Sequence, residues 1–338
     1  MNVNELHGGA ARALDRHARE GRLLALFAAL PDAAIAVAAA LRGHGAERIA
    51  IEREWIDGMQ AIRAAWPLSA RARMDDGWLR RVVSHLDPSA RGRIHASLGA
   101  AQRVAIFVSK HDHCIADLLQ KSRCGRLRCE IALVVSNHED CCHLAELYGV
   151  PFHYFELGGR PKKCVEADQL ALLEREKVDL IVLARYMQIL SPAFVARYPG
   201  RIINIHHALL PAFEGADPYG RALARGVKFI GATAHYVTAT LDAGPIIEQE
   251  ALRVSHRDDA DALRRKGREV ERITLSRAVR LHLEDRVLAV NDRVVVFSEG
   301  PPAPGATADD GTTPAPLAAR HWLTAEWPAS ELDRALPA

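Results

Sequence analysis

From residue 103 onward, short apolar runs alternate with amphipathic stretches, the texture of parallel strands joined by crossover helices. The runs at 104–108, 131–135, 152–155, 180–183 and 202–205 read as strands, with helical patterns between them at 114–120, 140–148 and 167–176. Two more strands, 229–237 and 245–254, precede a long amphipathic helix over 258–284, and a closing hairpin over 287–297 turns at Asn291-Asp292. This alternation predicts an α/β domain with a doubly wound, mostly parallel sheet, whose ligand crevice lies at the carboxyl ends of the strands.

Upstream the rhythm differs. An apolar run at 23–30, a helical stretch at 32–43, an alternating segment at 48–56 stopped by Asp57-Gly58, and a second helix at 78–86 predict a small α+β domain in the order strand, helix, strand, strand, helix. After Ser298 the chain turns rich in Pro, Ala, Thr and Gly, too poor in apolar area to order itself. The predicted organisation is an N-terminal extension at 1–20, the α+β domain at 21–92, the α/β domain at 100–297 and a tail at 298–338.

Composition narrows the partners. With 338 residues, 49% of them hydrophobic, a sizeable core is available. Forty-four Lys and Arg against 42 Asp and Glu leave a formal charge of +2, so nothing electrostatic points to nucleic acid or membrane, and small molecules or proteins are the expected partners. The first 22 residues carry charges and no apolar leader core, and no eighteen apolar residues run unbroken, so a soluble cytoplasmic chain is expected. The cysteines at 114, 124, 129, 141, 142 and 164 suit neither a disulfide framework nor zinc knuckles and read as reduced thiols.

The densest polar constellation stands at the carboxyl end of the strand at 202–205. Alternation puts Asn204 and His206 on one face of it, so an amide donor and an imidazole enter one cleft. Asp242, in the Gly-Pro turn Asp242-Ala243-Gly244-Pro245, supplies a carboxylate on a loop over the sheet. These are the parts needed to attack a formamide with water: Asn204 and a protonated His206 to hold the oxyanion, His206 to deliver a proton to the leaving nitrogen, and Asp242 to orient the water. His207 either orients the strand end or touches substrate, and His235, in an apolar strand, reads as a hydrogen-bonded core or supporting residue. His111, His113 and Cys114 offer metal-ligand atoms, but no second group at helical or knuckle spacing joins them, so no metal is expected. Cys141, Cys142 and His143 point about 100° apart in a helix and do not converge. The basic run Arg264, Arg265, Lys266, Arg268 and Arg272 is interspersed with acids and reads as a solvated or subunit-facing surface.

The runs ARYMQILSP at 184–192, NIHHALLPAF at 204–213, GVKFIGATAHYV at 226–237 and LDAGPII at 241–247 resemble the formyltransferase-fold family of folate enzymes. Within it, the doubled His206-His207 and the set Lys110, His113, Cys114, Asp117, Leu118 and Leu119 are similar to the formyltetrahydrofolate deformylases. The resemblance covers about residues 100–297. It implies Asn204, His206 and Asp242 as catalytic residues, and Arg185, Tyr186, Met187, Gln188, Ile189 and Leu190 lining a pterin pocket, with His207 and Gly244 as further substrate contacts. It also implies 10-formyltetrahydrofolate as substrate, formate and tetrahydrofolate as products, and no separate cofactor. More weakly, residues 21–92 resemble an ACT-like (ferredoxin-like) regulatory domain, which implies a homo-oligomer. The glycine expected after its first-strand Asp is missing at Pro31-Asp32-Ala33, so regulation by an amino acid does not follow. A second departure puts Gly220 where the family has a His.

The turn after the first strand of the α/β domain, Ser109-Lys110-His111-Asp112-His113, holds no glycine, whereas a phosphorylated amine acceptor needs a Gly-rich cradle of backbone N–H groups there. Water is therefore the expected acceptor. Formyl transfer to an amine is the alternative, motivated by Gly220, the eroded N-terminal domain and the tail. A non-catalytic folate-binding protein is a third class, opposed by the intact Asn204, His206 and Asp242.

Overall fold

Residues 20–28, 33–68, 74–86, 94–99, 101–211 and 218–297 are described by the computed structural model. The predicted extension before Glu20, the Pro31-Asp32 pair and the predicted tail at 298–338 lie outside them. The described residues up to 99 belong to one unit, and 101–296 to another.

In the first unit the leading apolar run forms β1 (Glu20–Ala28), followed by α1 (Ala33–Gly43), the hairpin strands β2 (Ala50–Ile56) and β3 (Met59–Pro67), α2 (Asp76–Ser84) and β4 (Ile94–Ser97). Asp57 and Gly58 turn the hairpin with φ of 49° and 74°, the paired positive φ that a tight hairpin turn requires. All pairings are antiparallel, in the order β2-β3-β1-β4. Leu23, Phe27, Val37, Leu41, Ile62, Trp66, Trp78 and Leu79 form the core between strands and helices. Asp75 caps α2, its carboxylate accepting from Trp78 N at 2.9 Å. The alternating segment β2 is the exposed edge, with Trp55 60% exposed. β4 was not expected from the sequence, since Ile-His-Ala-Ser is too short and mixed to show a period, and it lies past residue 92.

The second unit runs β5 (Gln102–Val108), α3 (His113–Arg123), β6 (Cys129–Ser136), α4 (Cys142–Tyr148), β7 (Phe152–Tyr154), α5 (Lys162–Arg175), β8 (Leu180–Leu183), α6 (Pro192–Val195), β9 (Ile202–His206), α7 (Pro218–Ala224), β10 (Phe229–Tyr236), β11 (Ile246–Arg253), α8 (Ala260–Leu283), β12 (Val287–Val290) and β13 (Arg293–Val296). Its sheet has the order β11-β10-β9-β8-β5-β6-β7. β7, β6, β5, β8 and β9 are parallel, and β10 is antiparallel to both β9 and β11. The strands are apolar without alternation because both faces are covered. Val104, Ile106 and Val108 of β5 pack toward Ile115 and Leu118 of α3 and Leu275 and Val279 of α8, whereas Ala105 and Phe107 pack toward Leu172 and Leu173 of α5 and Phe194 of α6. The single-turn α6 was not foreseen; Ser191 caps it, accepting from Phe194 N at 3.2 Å.

This topology positions the site. The chain moves outward from β5 to β6 and β7, then returns to β8 on the other side of β5. The carboxyl ends of β5 and β8 thus flank the switch point at which open α/β sheets bind ligands. Among the described residues no helix is long and apolar enough to cross a membrane.

Candidate active site

On β9, Ile202, Ile203 and Ile205 are buried and fix the strand, leaving Asn204 and His206 to the crevice. Strand register supplies their neighbours: Leu183 of β8 pairs with Asn204, while His235 and Thr233 of β10 stand opposite Asn204 and His206. Asp242 follows β10 with φ of 52°, a left-handed conformation that costs a non-glycine residue and is held only where the surroundings over-determine it. Part of that hold is Gly244, where a Cβ would lie 1.7 Å from Tyr236 O. Gly244 is not among the residues lining the cavity. What the structure gives Gly244 is a close approach to the β10 backbone, which lets the loop carrying Asp242 close onto that strand.

The three predicted side chains meet. His206 Nδ1 lies 3.3 Å from Asp242 Oδ2, and His235 Nε2 lies 3.6 Å from Asp242 Oδ1. His235 Nδ1 is 2.9 Å from Tyr236 O, and its Nε2 is 3.2 Å from Asn204 Nδ2. The contact of Asn204 Nδ2 with His235 Nε2 turns the Asn204 amide, whose second N–H remains for a ligand. His206 Nε2 is buried with no hydrogen-bond partner among the described residues. The hydrogen bond from His206, above all, holds the Asp242 carboxyl well below the usual carboxylate range, so it is ionised at neutral pH. His235, buried and in contact with Asn204 and the Tyr236 carbonyl, itself lines the cavity. Thr233 braces the turn after His206, its hydroxyl donating to Ala208 O at 2.8 Å and accepting from Leu210 N at 3.0 Å.

These residues line one cavity of about 370 Å³ together with Arg185, Tyr186, Met187, Gln188, Ile189, Leu190 and His207. The loop after β8 is pinned from several sides. Ser109 N donates to Arg185 O at 3.3 Å, Met187 N donates to Ser109 Oγ at 3.1 Å, and Lys162 Nζ donates to Ile189 O. Tyr186 packs edge-on against Phe107, with ring centroids 5.2 Å apart. Met187, Ile189 and Leu241 stay more than half exposed, an apolar rim suited to a flat aromatic ligand. Thr238, Ala239 and Thr240, which sequence reasoning did not single out, line the cavity with Val237 and Leu241. Their only signal was their place between an apolar strand and Asp242.

Beside this site the fold assembles a second polar group. Glu271 of α8, 1% exposed, lies 2.8 Å from His113 Nε2 and 3.5 Å from Arg185 Nε. Burial, followed by the Arg185 charge, pushes His207 down to about 4, so it is neutral at neutral pH. His113, Cys114 and Glu271 bring ligand atoms within 4.8 Å of one another, a convergence that sequence spacing could not show. Here the Arg185 guanidinium already compensates the carboxylate, and burial raises the Cys114 thiol well above its ordinary value. Glu271 is thus paired with Arg185 and lies within hydrogen-bonding distance of His113, with an uncharged Cys114 thiol beside them. All six cysteines are unpaired.

Residues 102–279 match the family model described as formyl transferase. The chain is 56% identical over 196 residues to the formyltetrahydrofolate deformylase of Synechocystis sp., an alignment covering 58% of this chain and 69% of that protein. Its structure is similar to the crystal structure of a formyltetrahydrofolate deformylase from Pseudomonas syringae pv. tomato, with a TM-score of 0.77 at 36% identity, covering 88% of this chain and all of the other. A glycinamide ribonucleotide transformylase from Symbiobacterium toebii shares less, with a TM-score of 0.57 at 32% identity over 59% of this chain and 95% of the other. With matched motifs in one order and a sheet of the same fold, the chain belongs to the formyl transferase family.

Proposed function

We propose that this chain is a hydrolase that converts 10-formyltetrahydrofolate to formate and tetrahydrofolate, with Asn204, His206 and Asp242 as the acting groups. The observation that carries the site is their convergence: three side chains from β9 and a distant loop share one cavity, and the buried His206 Nε2 lacks a protein partner among the described residues. In this reading the formyl oxygen accepts from the free Asn204 N–H and from protonated His206 Nε2–H as it becomes an oxyanion. Asp242, ionised and bonded to His206 Nδ1, orients the attacking water and stabilises the imidazolium. Water adds to the formyl carbon as one of its protons passes to Asp242, the bond to N10 breaks as His206 gives its proton to the nitrogen, and the proton on Asp242 passes to His206, leaving formate and tetrahydrofolate. The apolar rim of Met187, Ile189 and Leu241 takes the ring system, and every group the reaction needs is on the chain, so no separate cofactor is proposed.

The turn after β5 favours water over a phosphorylated amine. Ser109 N–H is already donated to Arg185 O, and Asp112 sets a carboxylate at the N-terminus of α3, where a phosphate would need open N–H groups and no negative neighbour. Incubation with 10-formyltetrahydrofolate alone tests the reading. Steady formate release is expected, and formyl loss only on addition of an amine would overturn it. Unpaired cysteines support a cytoplasmic setting, and the ACT-like resemblance supports a homo-oligomer; a monomeric mass by light scattering would remove the latter.

A further inference from the structure

We propose that Glu166 of α5, which takes no part in the chemistry, is a positioning residue that keeps the folate pocket in its binding shape by holding the end of the loop after β8. The inference rests on the folate-hydrolase reading above. Glu166 is only 7% exposed, and a buried carboxylate is costly unless hydrogen-bond donors meet it. Lys162, one turn earlier, stands 3.7 Å away but is itself more than half exposed, so solvent screens that pair and the pair does not account for the burial. The backbone does: Glu166 Oε1 accepts from Ser191 N at 2.9 Å, a charge-assisted bond of the stronger kind.

This bond is one of three from the same helix face. Residues 162, 166 and 169 are spaced four and three apart, so they share one side of α5, and each meets the loop that walls the cavity. Lys162 Nζ donates to Ile189 O, Glu166 accepts from Ser191 N, and Gln169 Nε2 donates to Tyr186 Oη at 3.4 Å. Further along the helix, Leu172 and Leu173 are buried with Phe107 and Phe194 in the core, so these three stand on a fixed support. Ser109 ties the start of the same loop through Arg185 O and Met187 N. At its end Ser191 also caps α6 with its hydroxyl, so Glu166 fastens the loop where it becomes helix. The cavity-lining residues 185–190 lie between these two ties, whereas Asn204, His206 and Asp242 stand on β9 and after β10 with bonds of their own. Loss of Glu166 therefore loosens the pocket wall without touching the acting groups, and a wall that must be ordered on binding lowers affinity.

The test sets tetrahydrofolate binding, by isothermal titration calorimetry on the full chain, beside steady-state formate release from 10-formyltetrahydrofolate. Glu166→Met keeps the side-chain volume without an acceptor, Glu166→Ala removes both, and Glu166→Gln keeps an oxygen that accepts from Ser191 N. Glu166→Met and Glu166→Ala are expected to raise Kd and KM at least about ten-fold with kcat within about two-fold of wild type. Glu166→Gln should bind within about three-fold of wild type, since the backbone donor keeps a partner. Wild-type affinity in Glu166→Met or Glu166→Ala, a fall in kcat with Kd unchanged, Glu166→Gln as weak as Glu166→Met, or failure of both Glu166→Met and Glu166→Ala to fold would overturn the proposal. Wild type separates the two readings: tetrahydrofolate binding that the variants share undiminished removes only the role of Glu166, and a wild type that neither binds tetrahydrofolate nor releases formate removes the folate-hydrolase reading.

Discussion

Replacing His207 with Gln should flatten the acid side of the stability profile. The imidazole ordinarily titrates near 6.5, and burial with Arg185 beside it depresses that to about 4 in the folded chain. On acidification the unfolded chain therefore takes up a proton that the folded chain refuses. Between these two values the unfolded state binds more protons, so stability falls as pH falls through the window from 6.5 to 4. With those two values the loss between pH 7.5 and pH 5 is about 2 kcal/mol, and it approaches ~3 kcal/mol below pH 4. Urea unfolding followed by far-UV circular dichroism at pH 7.5 and 5 reads it directly. At a slope of ~2 kcal/mol per molar, wild type should lose roughly 1 M more in midpoint than His207→Gln. Equal losses in the two proteins would mean that His207 is not held neutral by its surroundings, and the charge arrangement around Arg185 would need revision.

Asn204→Ala removes one oxyanion donor and should lower kcat by ~10²–10³ with KM little changed, as steady-state formate release will show. Gly244→Ala pushes a methyl group into the Tyr236 carbonyl, and should lower stability by ~1–3 kcal/mol and displace Asp242, so a thermal melt and an activity assay should fall together.

Much of the α/β unit was legible because its strands are buried on both faces, which writes them as unbroken apolar runs between amphipathic helices. Asn204 and His206 could be paired from strand alternation alone, since residues two apart share a face. Asp242 was placed by turn chemistry and resemblance, and only the fold gives its 3.3 Å approach to His206. Contacts across the sheet were not legible. His235 reaches Asn204 through the antiparallel register of β10, Arg185 meets Glu271 from a helix near the other end of the unit, and nothing local marks either partnership. The approach of Gly244 to the Tyr236 carbonyl was not legible either, because a glycine near a catalytic loop reads alike whether it approaches a ligand or its own backbone. β4, four residues with no period, carries no signal that survives outside its pairing with β1.

That water is the acceptor at Asn204, His206 and Asp242 is tested most directly by running the reaction in ¹⁸O-enriched water without any amine, with wild type and Asp242→Asn side by side. Wild type should release formate carrying one solvent oxygen per turnover, and the variant should release it at a rate lower by orders of magnitude. Unlabelled formate, or equal rates from the two proteins, would contradict hydrolysis at this site.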